Sequence, residues 1–123
     1  KTNFVGKVIE TQKGEFMICA SKGLYLYKDS SLTDVSSELI EEPKGTSNII
    51  ETLNRDMWFN CGRSIYHISS NKRTEHRISK GNYGPLAYQI YKDRRERVWF
   101  VGWGGAFRFE KGSIINITKD GPW

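Results

Sequence analysis

The sequence predicts an all-β chain made of three copies of one four-stranded unit, and three observations lead to this prediction. The chain repeats itself at a fixed interval of 41 residues, and three such intervals account for all 123 residues. Its composition favours strands, because aromatic side chains reach 13% and Ala occurs only three times. In the second and third strands predicted for each unit, the apolar spacing is alternating or continuous and does not follow the 3.6-residue period of a helix.

The repeat needs no gaps to align its apolar residues. Met17, Trp58 and Trp99 fall at equivalent positions, and each is followed by a second large apolar residue. We therefore predict one domain with repeats at about 1–41, 42–82 and 83–123. The other matched sets include Phe16, Met57 and Val98; Ile18, Phe59 and Phe100; Tyr25, Tyr66 and Phe107; Tyr27, Ile68 and Phe109; and Val8, Ile49 and Ile90.

Each repeat divides into four short strands separated by turns. In the first repeat we predict strands near 7–11, 15–20, 23–28 and 32–35. The turns between them contain Gly, Ser or Asp, which are the residues that tight turns favour. The later repeats place their turns at 53–55, 62–64 and 70–72, and at 94–96, 103–105 and 111–113.

A four-stranded unit of this length with two apolar faces is typical of a β-propeller blade. One such sheet is not stable alone and must stack against neighbouring sheets. Adjacent residues such as Trp58 and Phe59 point to opposite faces of their strand, as a blade covered on both sides requires. The sequence therefore predicts a partial β-propeller of three four-stranded antiparallel blades, and the alternative is a β-sandwich or meander of the same strands.

Three blades leave two end faces without a neighbour, and apolar end faces mark an interface or an aggregation hazard. The predicted partners are other blades of a longer parent chain or a second copy of this chain. The sequence begins with Lys1 rather than Met, so we expect a piece of a larger protein. The residues expected on the end faces are Phe16, Ile18, Tyr25 and Tyr27 at one end, and Val98, Phe100, Phe107 and Phe109 at the other.

The net charge of +5 does not indicate a nucleic-acid partner. Residues 1–41 carry a net charge of −1, and the two later repeats carry +3 each. The densest cationic cluster, at 92–97, is interrupted by acids, so we interpret it as a solvated turn. No apolar run reaches the ~20 residues of a membrane helix, and we predict no direct membrane contact.

The two cysteines lack the spacing of a metal site. Cys19 and Cys61 have no CxxC partner, and His67 and His76 lie near no second Cys pair. We predict no metal and no cofactor. One disulfide and two buried thiols both remain open, and the large apolar neighbours of each cysteine favour buried thiols.

The third repeat has the most specific pattern. An apolar residue, Ile90, precedes Asp93, and an apolar-Trp-apolar run at 98–100 is followed by a Gly pair at 104–105 and a strand at 107–109. This pattern resembles the two-component regulator propeller repeat. The second repeat keeps the Trp, and the first has Met in its place.

The resemblance implies a function. In that family such blades form the extracytoplasmic sensor region of hybrid histidine kinases, many of which sense glycans. We therefore expect a non-catalytic ligand-sensing or interaction segment, periplasmic, in a parent anchored in the inner membrane, with an oligosaccharide as candidate ligand. The alternative is a piece of a propeller lyase or glycosidase, because streptogramin-lyase-like propellers carry similar blades.

The repeat also predicts a binding rim. Loops between second and third strands share one rim of a propeller with the links between blades, and ligands usually bind there. Three candidates at this rim offer a guanidinium or an aromatic face suited to a sugar or uronate: Arg63, Tyr83 and Trp103.

No catalytic residues are predicted, because no recognised motif supplies a nucleophile or an acid–base pair. His67 stands where the other repeats have Leu26 and Arg108, so we interpret it as a blade-face residue. Asp56 and Asp93 lie in turns, and we expect them to accept backbone hydrogen bonds.

Overall fold

The computed structural model describes residues 4–36, 46, 48–61, 64–77, 89–102 and 105–118. Within these ranges the twelve elements are all strands, arranged as three antiparallel sheets of four. The first blade contains β1 (Val5–Glu10), β2 (Phe16–Ala20), β3 (Gly23–Lys28) and β4 (Ser31–Asp34). The second contains β5 (Ile49–Glu51), β6 (Met57–Cys61), β7 (Ser64–Ser69) and β8 (Lys72–Arg77). The third contains β9 (Gln89–Lys92), β10 (Val98–Gly102), β11 (Gly105–Glu110) and β12 (Ser113–Asn116).

The strand order within each sheet follows the sequence, so every connection inside a blade joins neighbouring strands. The first strands of successive blades, β1, β5 and β9, lie beside one another. This is the arrangement of β-propeller blades, and the prediction of a partial propeller of three four-stranded blades is confirmed. Among the described residues no helix is long and apolar enough to span a bilayer.

The turns after β1, β5 and β9 are built alike, one repeat apart. In each, the amide of the residue that follows the strand donates to the carbonyl oxygen four residues later, at 2.7 to 3.0 Å. The residue three positions after that donor has a positive φ. These residues are Gly14 (77°), Arg55 (69°) and Glu96 (62°). The 41-residue repeat therefore extends to the backbone conformation of the turns.

Two buried clusters hold the blades together. The first interface, between the first and second blades, buries Met17, Cys19, Leu24, Val35, Ile49, Phe59, Cys61 and Tyr66. The second interface, between the second and third blades, buries Trp58, Ile65, Ile90, Val98, Phe100 and Phe107. Trp58 and Phe59 are thus adjacent in the sequence but belong to different interfaces, as the sequence predicts.

Each blade has a leading side, which faces the preceding blade, and a trailing side, which faces the next. On the second blade Phe59 lies on the leading side and Trp58 on the trailing side. By the same register the open leading face of the first blade presents Val5, Val8, Phe16, Ile18, Tyr25, Tyr27 and Leu32. The open trailing face of the third blade presents Tyr91, Trp99, Val101, Arg108 and Ile115.

This register corrects one expectation about the end faces. Phe16, Ile18, Tyr25 and Tyr27 do lie on an open face. The residues expected at the other end, Val98, Phe100, Phe107 and Phe109, instead lie on a leading side and pack against the second blade. The reason is directional: stacked repeats all face the same way, so equivalent residues cannot form both ends.

Cys19 and Cys61 are both buried thiols, as the apolar neighbours of each favour. Burial raises the pKa of the Cys19 thiol to about 11, although a hydrogen bond with Thr46 and the charge of Lys7 act in the opposite direction. A thiol of this kind is protonated at neutral pH and packs as a small apolar group.

Candidate functional site

The three residues predicted at the binding rim, Arg63, Tyr83 and Trp103, all lie outside the described residues. The described residues bring a different group together, at the opposite rim, where the turns between first and second strands lie. There the second and third blades enclose a space of about 390 Å³. We call it the interblade cleft. The side chains that give it its chemistry are Asn54, Asp56 and His67 of the second blade, and Glu96, Arg97 and Phe109 of the third.

The floor of the interblade cleft is aromatic. Trp58 in β6 pairs directly with His67 in β7, so both side chains project from the trailing side of the second blade. Their rings stack with centroids 3.9 Å apart and an interplanar angle of 9°. Phe109 of the third blade packs edge-on against Trp58, with a centroid distance of 4.6 Å. The contact between two blades therefore forms part of the floor.

The imidazole of His67 also forms a histidine–carboxylate pair. The Nε2 atom of His67 is 2.8 Å from Oδ2 of Asp56, so the imidazole donates to the carboxylate. Both side chains are about one-sixth exposed. Asp56 was expected to accept backbone hydrogen bonds, whereas its carboxylate contacts His67. The pair leaves the remaining carboxylate oxygen near the cleft as an acceptor.

The turn of the second blade shapes the near wall. The side-chain oxygen of Asn54 accepts a hydrogen bond from the hydroxyl of Thr52 and another, at 3.3 Å, from the amide of Asp56. Thr52 is itself buried. The carbonyl group of Asn54 is thus occupied by its own turn, and its NH₂ group points away from that pair of bonds.

The turn of the third blade forms the far wall and is fastened to the second blade. Oε1 of Glu96 accepts a hydrogen bond of 2.7 Å from the amide of Leu53, and its Oε2 lies 3.1 Å from Nζ of Lys92. The hydrogen bond from Leu53 lowers the pKa of Glu96, with burial opposing and Lys92 assisting. Glu96 is therefore a carboxylate at neutral pH.

Asp93 organises the same turn from behind. Its Oδ1 accepts hydrogen bonds from the amides of Arg95 and Arg97, at 2.9 and 3.0 Å. Its Oδ2 accepts from Nε of Arg97 at 2.7 Å and from Nε1 of Trp99 at 2.9 Å. Partial burial raises the pKa of Asp93, but these bonds, that from Trp99 foremost, hold it well below its usual range. The prediction that Asp93 accepts backbone hydrogen bonds is confirmed.

A second histidine lies beneath the cleft. The ring centroid of His76 in β8 lies 5.8 Å from that of Trp58, in a stacked arrangement, and 5.9 Å from that of Phe109, whose ring is tilted by 69°. Its Nε2 atom is buried and has no hydrogen-bond partner in the described part of the chain. Burial, with a smaller contribution from the charge of His67, lowers the pKa of His76. It is a packing residue that resists protonation.

The cleft thus combines carboxylate acceptors, amide and guanidinium donors and an apolar floor. No group of three or more metal-ligating side chains occurs among the described residues. The sequence does not predict this site, because the general geometry of propellers places ligand binding at the opposite rim. The available signal was His67, a polar ring at a stacking position that Leu26 occupies in the first repeat, with Asp56 eleven residues before it.

The architecture and the stacking of the blades define a β-propeller segment. No family model and no curated protein matches the chain. Virginiamycin B lyase from Staphylococcus aureus, in selenomethionine form, superposes with a TM-score of 0.73 at 20% identity, covering 96% of this chain and 42% of that one. A catalytically inactive variant of the same lyase with quinupristin gives 0.68 at 18% identity, covering 90% and 40%.

The extracellular domain of the hybrid two-component system BT4673 from B. thetaiotaomicron gives a TM-score of 0.49 at 11% identity, covering 93% of this chain and 24% of that one. This chain therefore spans about two-fifths of the length of the lyases that it resembles. The likeness to the lyases shows the β-propeller fold.

Proposed function

We propose that this chain is a non-catalytic ligand-sensing and interaction segment of an extracytoplasmic two-component sensor, and that it binds a glycan in the interblade cleft. The observation that carries the proposal is the composition of the cleft walls. One wall belongs to the second blade and the other to the third, so a bound ligand touches both. Its binding energy is then coupled to the relative position of two blades, which is what a sensor requires.

The chemistry of the walls suits a neutral, hydroxyl-rich ligand. Asp56 and Glu96 accept hydrogen bonds, while Asn54 and Arg97 donate them. Sugar hydroxyls both donate and accept, so they match a mixed set better than a charged group would. The volume of about 390 Å³ lies in the range of small-molecule sites, which suits one or two sugar rings.

The surroundings of His67 support a binding role. One face of its ring is covered by Trp58, the centroid of the tilted Phe109 ring lies 5.6 Å from its own, and Nε2 donates to Asp56. A general base must reach the proton that it removes. A ring held on these sides serves better as a rigid part of the floor.

The alternative is a segment of a propeller lyase or glycosidase. The His67–Asp56 pair favours it, because a carboxylate that orients an imidazole is a common arrangement for acid–base catalysis. Under this alternative His67 would move away from Trp58 when substrate enters the cleft.

Titration calorimetry with defined neutral oligosaccharides (cellohexaose, xylohexaose and maltohexaose) tests the proposal. We expect saturable binding of at least one of them. Asp56→Asn should weaken that binding about tenfold, the effect of losing one charged hydrogen bond. Glu15→Gln is the matched control, because Glu15 holds the equivalent position in the first repeat, away from the cleft.

The same mixtures, and a parallel incubation with quinupristin, are then analysed by mass spectrometry. Conversion of any of these compounds that disappears in His67→Ala would establish the enzymatic alternative. Absence of binding by all three oligosaccharides at millimolar concentration, or equal loss in both carboxylate variants, would contradict glycan binding in the cleft.

A further inference from the structure

We propose that the open leading face of the first blade binds the open trailing face of the third blade in a second copy of this chain, so that copies associate head to tail. The leading face is apolar and exposed: Val5, Val8 and Leu32 are 59%, 51% and 61% exposed. Ile18 and Tyr25 line a shallow depression of about 460 Å³ on it. Burying apolar surface of this kind against a partner removes it from water and so favours association.

The trailing face of the third blade offers a matching surface. Tyr91, Val101 and Ile115 are exposed there by 59%, 44% and 36%. The guanidinium of Arg108 lies over the ring of Trp99, 5.2 Å from its centroid. The face is therefore mostly apolar and carries one cation, which the two tyrosines of the leading face can accommodate.

The internal interfaces show how these faces fit. Both place the trailing side of one blade against the leading side of the next. Ile18, Phe59 and Phe100 are equivalent in the repeat, and the two phenylalanines are fully buried in those contacts. A trailing face from another copy would cover Ile18 in the same way. Head-to-tail association thus continues an interface that the chain already builds twice.

Hydrogen bonds at the rim also support head-to-tail association. The amide of Gln12 donates to Oε1 of Glu51 in the next blade at 2.7 Å. The equivalent amide of Leu53 donates to Oε1 of Glu96, also in the next blade, at 2.7 Å. Each internal interface is therefore closed by a first-turn amide on a carboxylate of the following blade.

The acceptor of the second interface, Glu96, stands where the first blade has Gly14, so the first interface is the guide here: the equivalents of its Gln12 and Glu51 at the open faces are Arg94 and Glu10. Arg94 is the third-blade equivalent of Gln12, and within the described ranges its amide makes no hydrogen bond. Glu10 is the first-blade equivalent of Glu51 and is exposed. In a head-to-tail pair Glu10 of one copy would accept from the Arg94 amide of the other, beside the exposed cationic turn at 92–97.

Sedimentation velocity of the full chain at micromolar concentration tests the association, and two variants test its direction. Ile18→Glu places a charge on the leading face, and Val101→Glu places one on the trailing face. We expect the wild-type chain to associate and each variant alone to be monomeric. Mixed together, the variants should form a one-to-one complex, because each contributes its intact face and neither can extend further.

Two outcomes would overturn the proposal. The first is a wild-type chain that is monomeric at these concentrations, because its two open faces would then not bind each other. Val101→Glu that still dimerises while Ile18→Glu does not would show pairing of two leading faces about a two-fold axis. Circular dichroism of each variant verifies that the sheets are retained.

Glu10→Lys gives a second test that leaves the apolar faces unchanged. Because Glu10 is exposed in the single chain, the variant should fold as the wild type does. We expect its association constant to fall about tenfold or more, since the carboxylate is lost and a cation meets the turn at 92–97. Glu15→Lys, which alters a carboxylate paired within its own blade to Lys28, is the control and should associate as the wild type does. Equal association of both variants would contradict the Glu10–Arg94 contact.

Discussion

The two internal interfaces of this chain use the same backbone positions and fill them differently. On the trailing side of the first blade, Leu26 and Val35 face the second blade with aliphatic side chains. The equivalent residues of the second blade are His67 and His76, which stack with Trp58 against the third. At these two positions the first interface has aliphatic side chains, whereas the second has imidazoles and borders the interblade cleft.

The comparison shows where a repeat protein can acquire a site. The turns, strand pairing and stacking direction are common to all blades, so the same fold forms with different residues at a given facing position. Replacing an aliphatic residue by a histidine at one such position introduces polar atoms, and Asp56 supplies the partner that one of them needs. The blade geometry is retained and the local chemistry changes.

The largest expected effect comes from the equivalent residues at the centre of each leading side. Phe59 and Phe100 are fully buried, one in each interface, whereas Ile18 lies on the open leading face. Phe59→Ala and Phe100→Ala should each lower the free energy of unfolding by about 3–5 kcal/mol through lost burial and a cavity. Ile18→Ala should cost less than about 1 kcal/mol in dilute solution, because no neighbouring blade covers it.

Urea denaturation followed by circular dichroism measures all three variants. Similar decreases in the free energy of unfolding for the two phenylalanine variants would show that the interfaces are equally strong despite their different chemistry. A loss at Ile18 as large as at Phe59 would break the comparison, since it would mean that the leading face of the first blade is already covered in the single chain.

Much of the fold was predictable from the sequence because the repeat determines which residues are equivalent. The interval between Met17, Trp58 and Trp99 was enough to place every second strand. The direction of stacking was not predictable, because equivalence does not say which neighbour a face meets. For that reason the sequence predicts an end face for Phe100 and the three residues beside it, although they pack against the second blade.

The candidate site was less predictable, for a related reason. The prediction of Arg63, Tyr83 and Trp103 rests on the general geometry of propeller rims, and all three lie outside the described residues. The interblade cleft depends instead on a contact between two repeats, with Phe109 on one side and His67 on the other. A search for polar residues at the positions that face a neighbouring blade would have found His67, together with Arg108, but not the carboxylate of Glu96 that the other blade supplies.

A smaller effect should distinguish the interfaces by pH. The pKa of His76 is lower in the folded chain than in the unfolded one, whose value is near 6.5. The unfolded chain therefore binds the proton first as the pH falls. The contribution of His76 to the free energy of unfolding is fully present above about pH 6.5. It declines as the pH falls through the range between the two pKa values.

Thermal unfolding between neutral and mildly acidic pH measures this decline. His76→Val gives the second interface the residue that Val35 provides in the first, and we expect the melting temperature to depend less on pH in the variant over that range. Val35→Ala is the control, because it alters the first interface without removing a titrating group. Its melting temperature should change with pH as that of the wild type does. If the melting temperature of His76→Val changes with pH as much as that of the wild type, protonation of His76 does not destabilise the second interface.

The smallest expected effect is a gain in stability on replacing Arg55 in the turn after β5. Arg55 adopts a φ of 69° in the turn that borders the second interface, where the first blade has Gly14 at 77°. A side chain in this left-handed region costs about 1 kcal/mol relative to Gly, and part of that is offset by the greater freedom of Gly in the unfolded chain. Arg55→Gly should therefore raise the free energy of unfolding by a few tenths to about 1 kcal/mol, measured by urea denaturation. Arg55→Ala, which keeps a Cβ in the same turn, is the matched control and should show no such gain. Stabilisation by both variants would trace the effect to the lost charge instead, and the turns of the two interfaces would then differ in electrostatics rather than in backbone strain.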